Sequence, residues 1–151
     1  MKKVTQMKKI IAFVLSLVCA VGLVGCGSKD NKKQPDNAQI KYTIGHSEVY
    51  DENSIKEAFS AVEKKFSEVF VGCTLTELSY NEEIENRFAD RRAEYATESN
   101  LELIVLLSTF TTDEDGGDGS LEPNATYTNW QWYLVRSADN KSWEVRDWGV
   151  G

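Results

Sequence analysis

The chain has 151 residues, 41% of them hydrophobic and 27% charged, which is room for one ordinary globular domain and little more. Its 17 basic and 24 acidic side chains give a net charge of −7; so acidic a surface repels phosphate backbones and anionic headgroups, which argues against nucleic acid and against adhesion through a basic patch. Two prolines, three cysteines and no sustained heptads exclude the collagen-like, disulfide-scaffold and coiled-coil classes.

Residues 1–25 read as an address. Lys2, Lys3, Lys8 and Lys9 precede an apolar run from Ile10 to Val24, broken only by Ser16 and Gly22. The run is shorter than the about 20 residues of a spanning helix and has the positive-then-apolar layout of a secretory signal. It ends in Leu23-Val24-Gly25-Cys26, which resembles the lipobox of bacterial lipoproteins. That resemblance implies a diacylglyceryl group on the Cys26 sulfur and cleavage just before it, with Gly25 small enough for the peptidase to reach the backbone. Two acyl chains make a stable anchor, since each buried methylene contributes about 0.8 kcal/mol and one chain binds only marginally. The expected place is the outer face of the cytoplasmic membrane, with the bilayer as partner through Cys26. The competing reading is a soluble secreted protein in which Cys26 is incidental.

Without the four leader lysines, 13 basic side chains face 24 acidic ones, so the mature chain is more acidic than the whole. Cys19 leaves with the leader and Cys26 takes the lipid. Cys73 is then alone, and the frequent burial of cysteine favours an inert thiol over a reactive one.

Residues 26–39 are expected to be the lipidated cysteine and a tether, because Gly27 to Gln39 has no large apolar side chain; its flexible reach is on the order of 20 Å. The domain is expected over 40–151, long enough for a core without metal or disulfide staples. Ile40, Tyr42 and Ile44 alternate with polar residues as in an edge strand. From Ser54 the period becomes helical: Ile55, Ala58, Phe59, Val62, Phe66, Val69 and Phe70 form one stripe. Ser54 and Glu57 have capping-box spacing, and Gly72 stands where a helix ends.

Cys73 to Tyr80 reads as a strand, and Glu82 to Thr97 as a second helix carried by Ile84, Phe88 and Tyr95. Leu101 to Phe110 is apolar on both parities, hence a central strand covered on two sides. Thr126 to Arg136 and Ser142 to Trp148 read as a hairpin around Ala138 to Lys141. The order predicts an α+β domain with two helices packed on one face of a curved antiparallel sheet of four to five strands. By analogy it is compatible with a cone-shaped sheet of the nuclear-transport-factor-2-like or cystatin-like kind.

Alternation puts Trp130 and Trp132 on one face of their strand, and sets Trp143 and Val145 opposite Arg146 and Trp148. The sheet face not covered by helices offers a place for an aromatic pocket around Trp130, Trp132 and Trp148 with Arg136, Arg146 and Asp147 at its rim, but large aromatics routinely fill cores and interfaces, so plain core or a partner interface is the favoured reading. Thr112 to Ala125 is long for a compact domain, and Asp113, Asp115, Asp118 and Glu122 make it a calcium candidate. The EF-hand pattern fails, however, with Gly117 in place of the third acid and Asp118 in place of the glycine, which favours a solvated acidic loop.

His46 is the single histidine, so no histidine cluster or histidine relay is available. Carboxylate pairs such as Glu82 with Glu83, or Glu144 with Asp147, need burial to shift their pKa values before they can do acid–base work. No catalytic residue and no cofactor is assigned.

The stretches Ile44 to Tyr50, Gly72 to Leu75, Val105 to Phe110, Tyr127 to Trp132 and Trp143 to Gly149 together resemble an uncharacterised lipoprotein domain family of low-GC Gram-positive bacteria. The likeness spans about residues 44–149 and implies no established activity. The chain departs from the family pattern at Asn81, where an acid is expected, and at Val150, where an aromatic is expected. The expected function is a membrane-anchored binding module for an unknown protein or small molecule. One alternative is an enzyme whose pocket would bury Asp147, Glu77 or Arg146; another is an envelope-stress or immunity lipoprotein.

Overall fold

The computed structural model describes residues 39–137, 139 and 141–150. The expected leader, Cys26 and the tether as far as residue 38 lie outside the described residues, as do positions 138 and 140 of the expected hairpin turn. The domain is α+β. Its elements run β1 (Lys41–Ile44), α1 (Glu52–Val69), β2 (Cys73–Tyr80), α2 (Glu82–Arg87), α3 (Ala89–Ser99), β3 (Leu101–Thr112), β4 (Thr126–Ser137) and β5 (Glu144–Gly149). The five strands lie in chain order in one open sheet. It is mixed: β1 runs parallel to β2 and the remaining pairs are antiparallel.

Helix α1 forms where the apolar stripe predicts it, but it starts earlier than the expected capping box. Asp51 is the N-cap, its carboxylate accepting from the Ser54 amide at 2.8 Å. Ser54 therefore sits inside the first turn, and its hydroxyl and carbonyl are free to bind other elements. At the other end Gly72 has φ +77°, and a Cβ there would collide with the Asp113 carboxylate and approach the Gly117 Cα to 2.9 Å. A glycine is required on both counts. The helix end and the acidic loop are interlocked at this point.

The expected second helix is two. Phe88 breaks the helical run between α2 and α3, and it packs against both apolar clusters of the domain. One ring serves both faces of the sheet, and the chain turns around it. Asn100 closes α3 with φ 51°, the left-handed conformation that asparagine tolerates.

The central strand β3 separates those clusters. Its residues Ile104, Leu106 and Phe110 join Phe59, Val62 and Phe66 of α1 with Leu78, Trp132 and Leu134 in the main core. The opposite parity, Leu103 and Val105 with Val135, is covered by Phe88 and Tyr95. Helices thus lie on both faces, which corrects the expectation that they share one. The apolar character of β3 on both parities has this cause.

Three register shifts bend the sheet: Leu75/Glu77 in β2, Ser108/Phe110 in β3, and Tyr133/Leu134 in β4. The last leaves Arg146 as the extra residue of β5, since Asp147 opposes Tyr133 while Val145 opposes Leu134. That bulge reverses the side-chain parity beyond it. Trp148 consequently stacks on Trp132, centroids 5.8 Å apart, on the same side as Val145, and not opposite it as strict alternation predicts.

Candidate functional site

The six residues expected to share one pocket or interface go to different places. Trp132 is fully buried and its indole N–H donates to the Ser108 hydroxyl at 2.8 Å, so it is core. Arg136 is a clamp between elements. Its guanidinium holds Glu102 at 2.7 Å, donates to the Ser54 hydroxyl at 2.9 Å and lies 4.3 Å over the Trp143 ring, while the Trp143 N–H donates to the Ser54 carbonyl. One face of that guanidinium and all three of its nitrogens are in use. Arg146 is exposed and pairs with its strand neighbour Glu144 at 3.6 Å. Asp147 is exposed on the side of the sheet away from α1 and accepts from the Trp148 amide at 2.9 Å.

Trp130 and Trp148 do come together. With Phe70, Cys73 and Leu121 they line a half-open cavity of about 230 Å³ between the C-terminal end of α1 and the acidic loop. Rings of the core extend to it: Phe70 meets Trp130 edge-on at 5.8 Å, Phe110 meets Trp130 at 5.3 Å, and Tyr127 meets Trp130 at 5.8 Å. Lys65 covers the Trp148 ring from α1 at 5.4 Å. The Trp130 indole nitrogen is buried without a hydrogen-bond partner, a deficit of about 1–3 kcal/mol for a polar group removed from water. Asn129, with φ 55°, marks the shift that brings Tyr127 and Trp130 to the same side.

Cys73 in that wall is buried, as expected, and its thiol is pushed up by burial first and then by the charges of Asp113 and Asp118. It stays protonated at neutral pH and is no nucleophile. Two of the loop carboxylates are occupied by their own backbone: the Asp113 side chain accepts from the amides of Asp115 and Gly117, and that of Asp118 from the Ser120 amide, while Asp115 is exposed. Glu122 contributes its carbonyl to the Thr112 hydroxyl. Among the described residues no group of three or more His, Cys, Asp or Glu is placed to hold a metal ion. The loop is a folded clasp built on Asx turns.

A buried polar cluster that the sequence did not reveal lies at the other end of the domain. Glu85 of α2 is 5% exposed. Its Oε2 accepts from the Ser47 hydroxyl and, at 2.9 Å, from the Tyr80 hydroxyl, and Ser47 Oγ in turn accepts from the Tyr50 amide. Burial works to raise the Glu85 pKa, but the Ser47 and Tyr80 hydroxyls, the Glu48 amide and the Arg92 charge outweigh it and hold the carboxyl below its ordinary range. Tyr80 is pushed up by burial and by Glu85. Tyr50 is pushed up to about 12, chiefly by burial, and its hydroxyl donates to the Leu103 carbonyl at 2.8 Å, beyond the last β2 partner of β3.

This cluster is arranged for stability. The carboxylate stays charged, the phenols stay neutral, and no group among them is moved toward neutral pH, where an acid–base catalyst works best. Glu77 likewise is held low, first by the Lys41 hydrogen bond, and it lies at the β1–β2 pairing, away from the aromatic cavity. His46 is exposed. Compared with protein-family models, curated proteins and solved structures, the chain matches none.

Proposed function

We propose that the protein is an exported, lipid-anchored binding module whose aromatic cavity takes an apolar ring or chain end. The observation that carries this reading is the cavity wall itself: Trp130, Trp148 and Phe70 around about 230 Å³. An apolar cavity of about 150 Å³ already holds benzene, so a ring-sized group fits. A binding role is further supported by the charge states at the buried cluster, none of which suits proton transfer at neutral pH.

Titration of the full chain with benzamide and acetophenone, read by tryptophan fluorescence, tests the cavity. Saturable quenching is expected, with Trp130→Ala weakening binding about tenfold through loss of apolar contact and Leu121→Trp abolishing it by filling the space. No saturable response from the native protein removes this reading.

Anchoring rests on the lipobox of Leu23 to Cys26 and on the family resemblance over residues 44–149. Expressed in a Gram-positive host, the native chain is expected in the membrane fraction with a diacylglyceryl mass on Cys26. Cys26→Ala is expected to lose that mass and to keep its leader. An unmodified native Cys26 overturns the anchor and leaves the cavity reading intact.

A further inference from the structure

On the face away from α1, residues of α3, β4 and β5 enclose a second cavity of about 300 Å³. Gln131 forms part of its wall, and its position is unusual for an amide: it is only 9% exposed, in a strand between two tryptophans. The Tyr133 hydroxyl donates to Gln131 Oε1 at 2.5 Å. Among the described residues nothing accepts from the Gln131 amide nitrogen, and that nitrogen is not sealed from solvent, so its N–H groups are open to an acceptor from outside the protein.

Beside it, Arg91 of α3 lays its guanidinium over the Tyr133 ring at 5.8 Å. Arg91 makes no ion pair among the described residues, so stacking fixes its plane while its N–H edge stays available. The combination of a guanidinium edge and a carboxamide NH₂ is a receptor for a carboxylate. Asp147, the cross-strand partner of Tyr133, lies on the same side of the sheet and also makes no ion pair among the described residues. Its carboxylate supplies the acceptor for a cation.

Charge decides which ligand class fits. A simple anion would meet Asp147 and the strongly acidic surface of the chain, and a simple cation would meet Arg91. A molecule with both charges satisfies both, and Tyr95 and Tyr133 give its apolar part a wall. We infer that this cavity binds a zwitterionic amino-acid-like ligand, its carboxylate on Arg91 and Gln131 and its ammonium on Asp147. Gly149, opposite Gln131, leaves the floor open: a Cβ added there meets nothing within 4 Å. This site shares Trp148 with the aromatic cavity and is otherwise lined by different residues.

Calorimetric titration of the full chain tests it, with L-phenylalanine, L-leucine and glycine as probes. Saturable binding of at least one is expected. N-acetylation or carboxyl amidation of that probe is expected to weaken binding about tenfold or more, as loss of a charge-assisted hydrogen bond does. Arg91→Gln is expected to weaken it comparably. Gly149→Leu is expected to abolish binding while the melting temperature holds, because the added side chain fills the cavity and touches no core residue. Leu121→Trp, which fills the aromatic cavity, is expected to leave it unchanged. Absence of saturable binding by all three probes, equal binding of the acetylated or amidated forms, full binding by Gly149→Leu, or loss of binding in Leu121→Trp would each overturn the inference.

Discussion

The two faces of the sheet differ in what covers them. Against α1 lies a continuous aromatic and aliphatic core in which Trp132, Phe110 and Leu78 are fully buried and the Trp132 and Trp143 indoles have partners. Against α3 lies a patch of three buried residues, Leu103, Val105 and Val135, and α3 itself buries no residue fully. Beyond that patch the same face holds Gln131, Arg91 and Asp147 around open space. The contrast is one of load: the α1 face carries most of the buried core, and the α3 face has only a thin apolar cover.

The sharpest way to break that contrast is to cut into each face equally. Leu134→Ala removes a fully buried side chain from the α1 side and is expected to cost about 4–5 kcal/mol, read as a fall in denaturation midpoint. Leu103→Ala on the α3 side is expected to cost about 2–3 kcal/mol. Similar values for the two would show that the faces share the load. Hydrogen exchange sharpens the same point: amides of α3 are expected to open well before those of α1.

At the junction of the faces, Glu85→Ala strips two hydroxyls of their acceptor and is expected to cost about 2–3 kcal/mol. Because the folded Glu85 carboxyl is held below its unfolded value, its contribution is present above the ordinary pKa of about 4.3 and is lost as pH falls through the lower folded value. Acid titrations monitored by circular dichroism should therefore show a flatter limb in Glu85→Gln than in the native chain. Tyr50 and Tyr80 have the opposite sign. Their raised folded pKa values stabilise the fold up to the ordinary phenol value of 10, and that contribution is lost as pH rises toward about 12 for Tyr50. Tyrosinate absorbance and loss of structure should rise together in that window, and Tyr50→Phe should uncouple them in part.

The smallest effect is expected at the bulge. Arg146→Ala loses only an exposed pair with Glu144 and should stay within about 0.5 kcal/mol. A larger loss would mean that the bulged residue carries part of the core.

Much of this architecture is legible in the chain because it depends on local periodicity. The stripe Ile55 to Phe66 specifies α1, and the unbroken apolar run of β3 announces cover on both sides. What stays hidden depends on single-residue events that periodicity does not register. Phe88 continues the helical pattern it interrupts, so the split into α2 and α3 is silent. One extra residue at Arg146 inverts Trp148, and with it the composition of the expected pocket. The parallel direction of β1 has no local signature at all.

The sites divide in the same way. Trp130 and Trp148 are visible as candidates through their size, whereas Arg136 is drawn into a half-buried clamp by Ser54, Glu102 and Trp143, three partners far apart in sequence. Gln131 and Arg91 do not announce in the sequence that they line one cavity. The available signal was an amide on the strand parity that also carries Tyr133 and Val135, opposite Leu107 of an otherwise apolar neighbour.

The direction of β1 has a mechanical consequence. A pull on the backbone from the N-terminal side enters the domain at Ile40 and meets first a four-residue edge strand, held by its pairing with Lys41 to Ile44 opposite Glu77 to Tyr80 and by the Lys41–Glu77 contact. Tension along β1 loads those bonds together in shear, whereas tension across the sheet peels them one after another. The fold has a weak seam at that border, and stretching should detach β1 while the remaining four strands and α1 keep their grip.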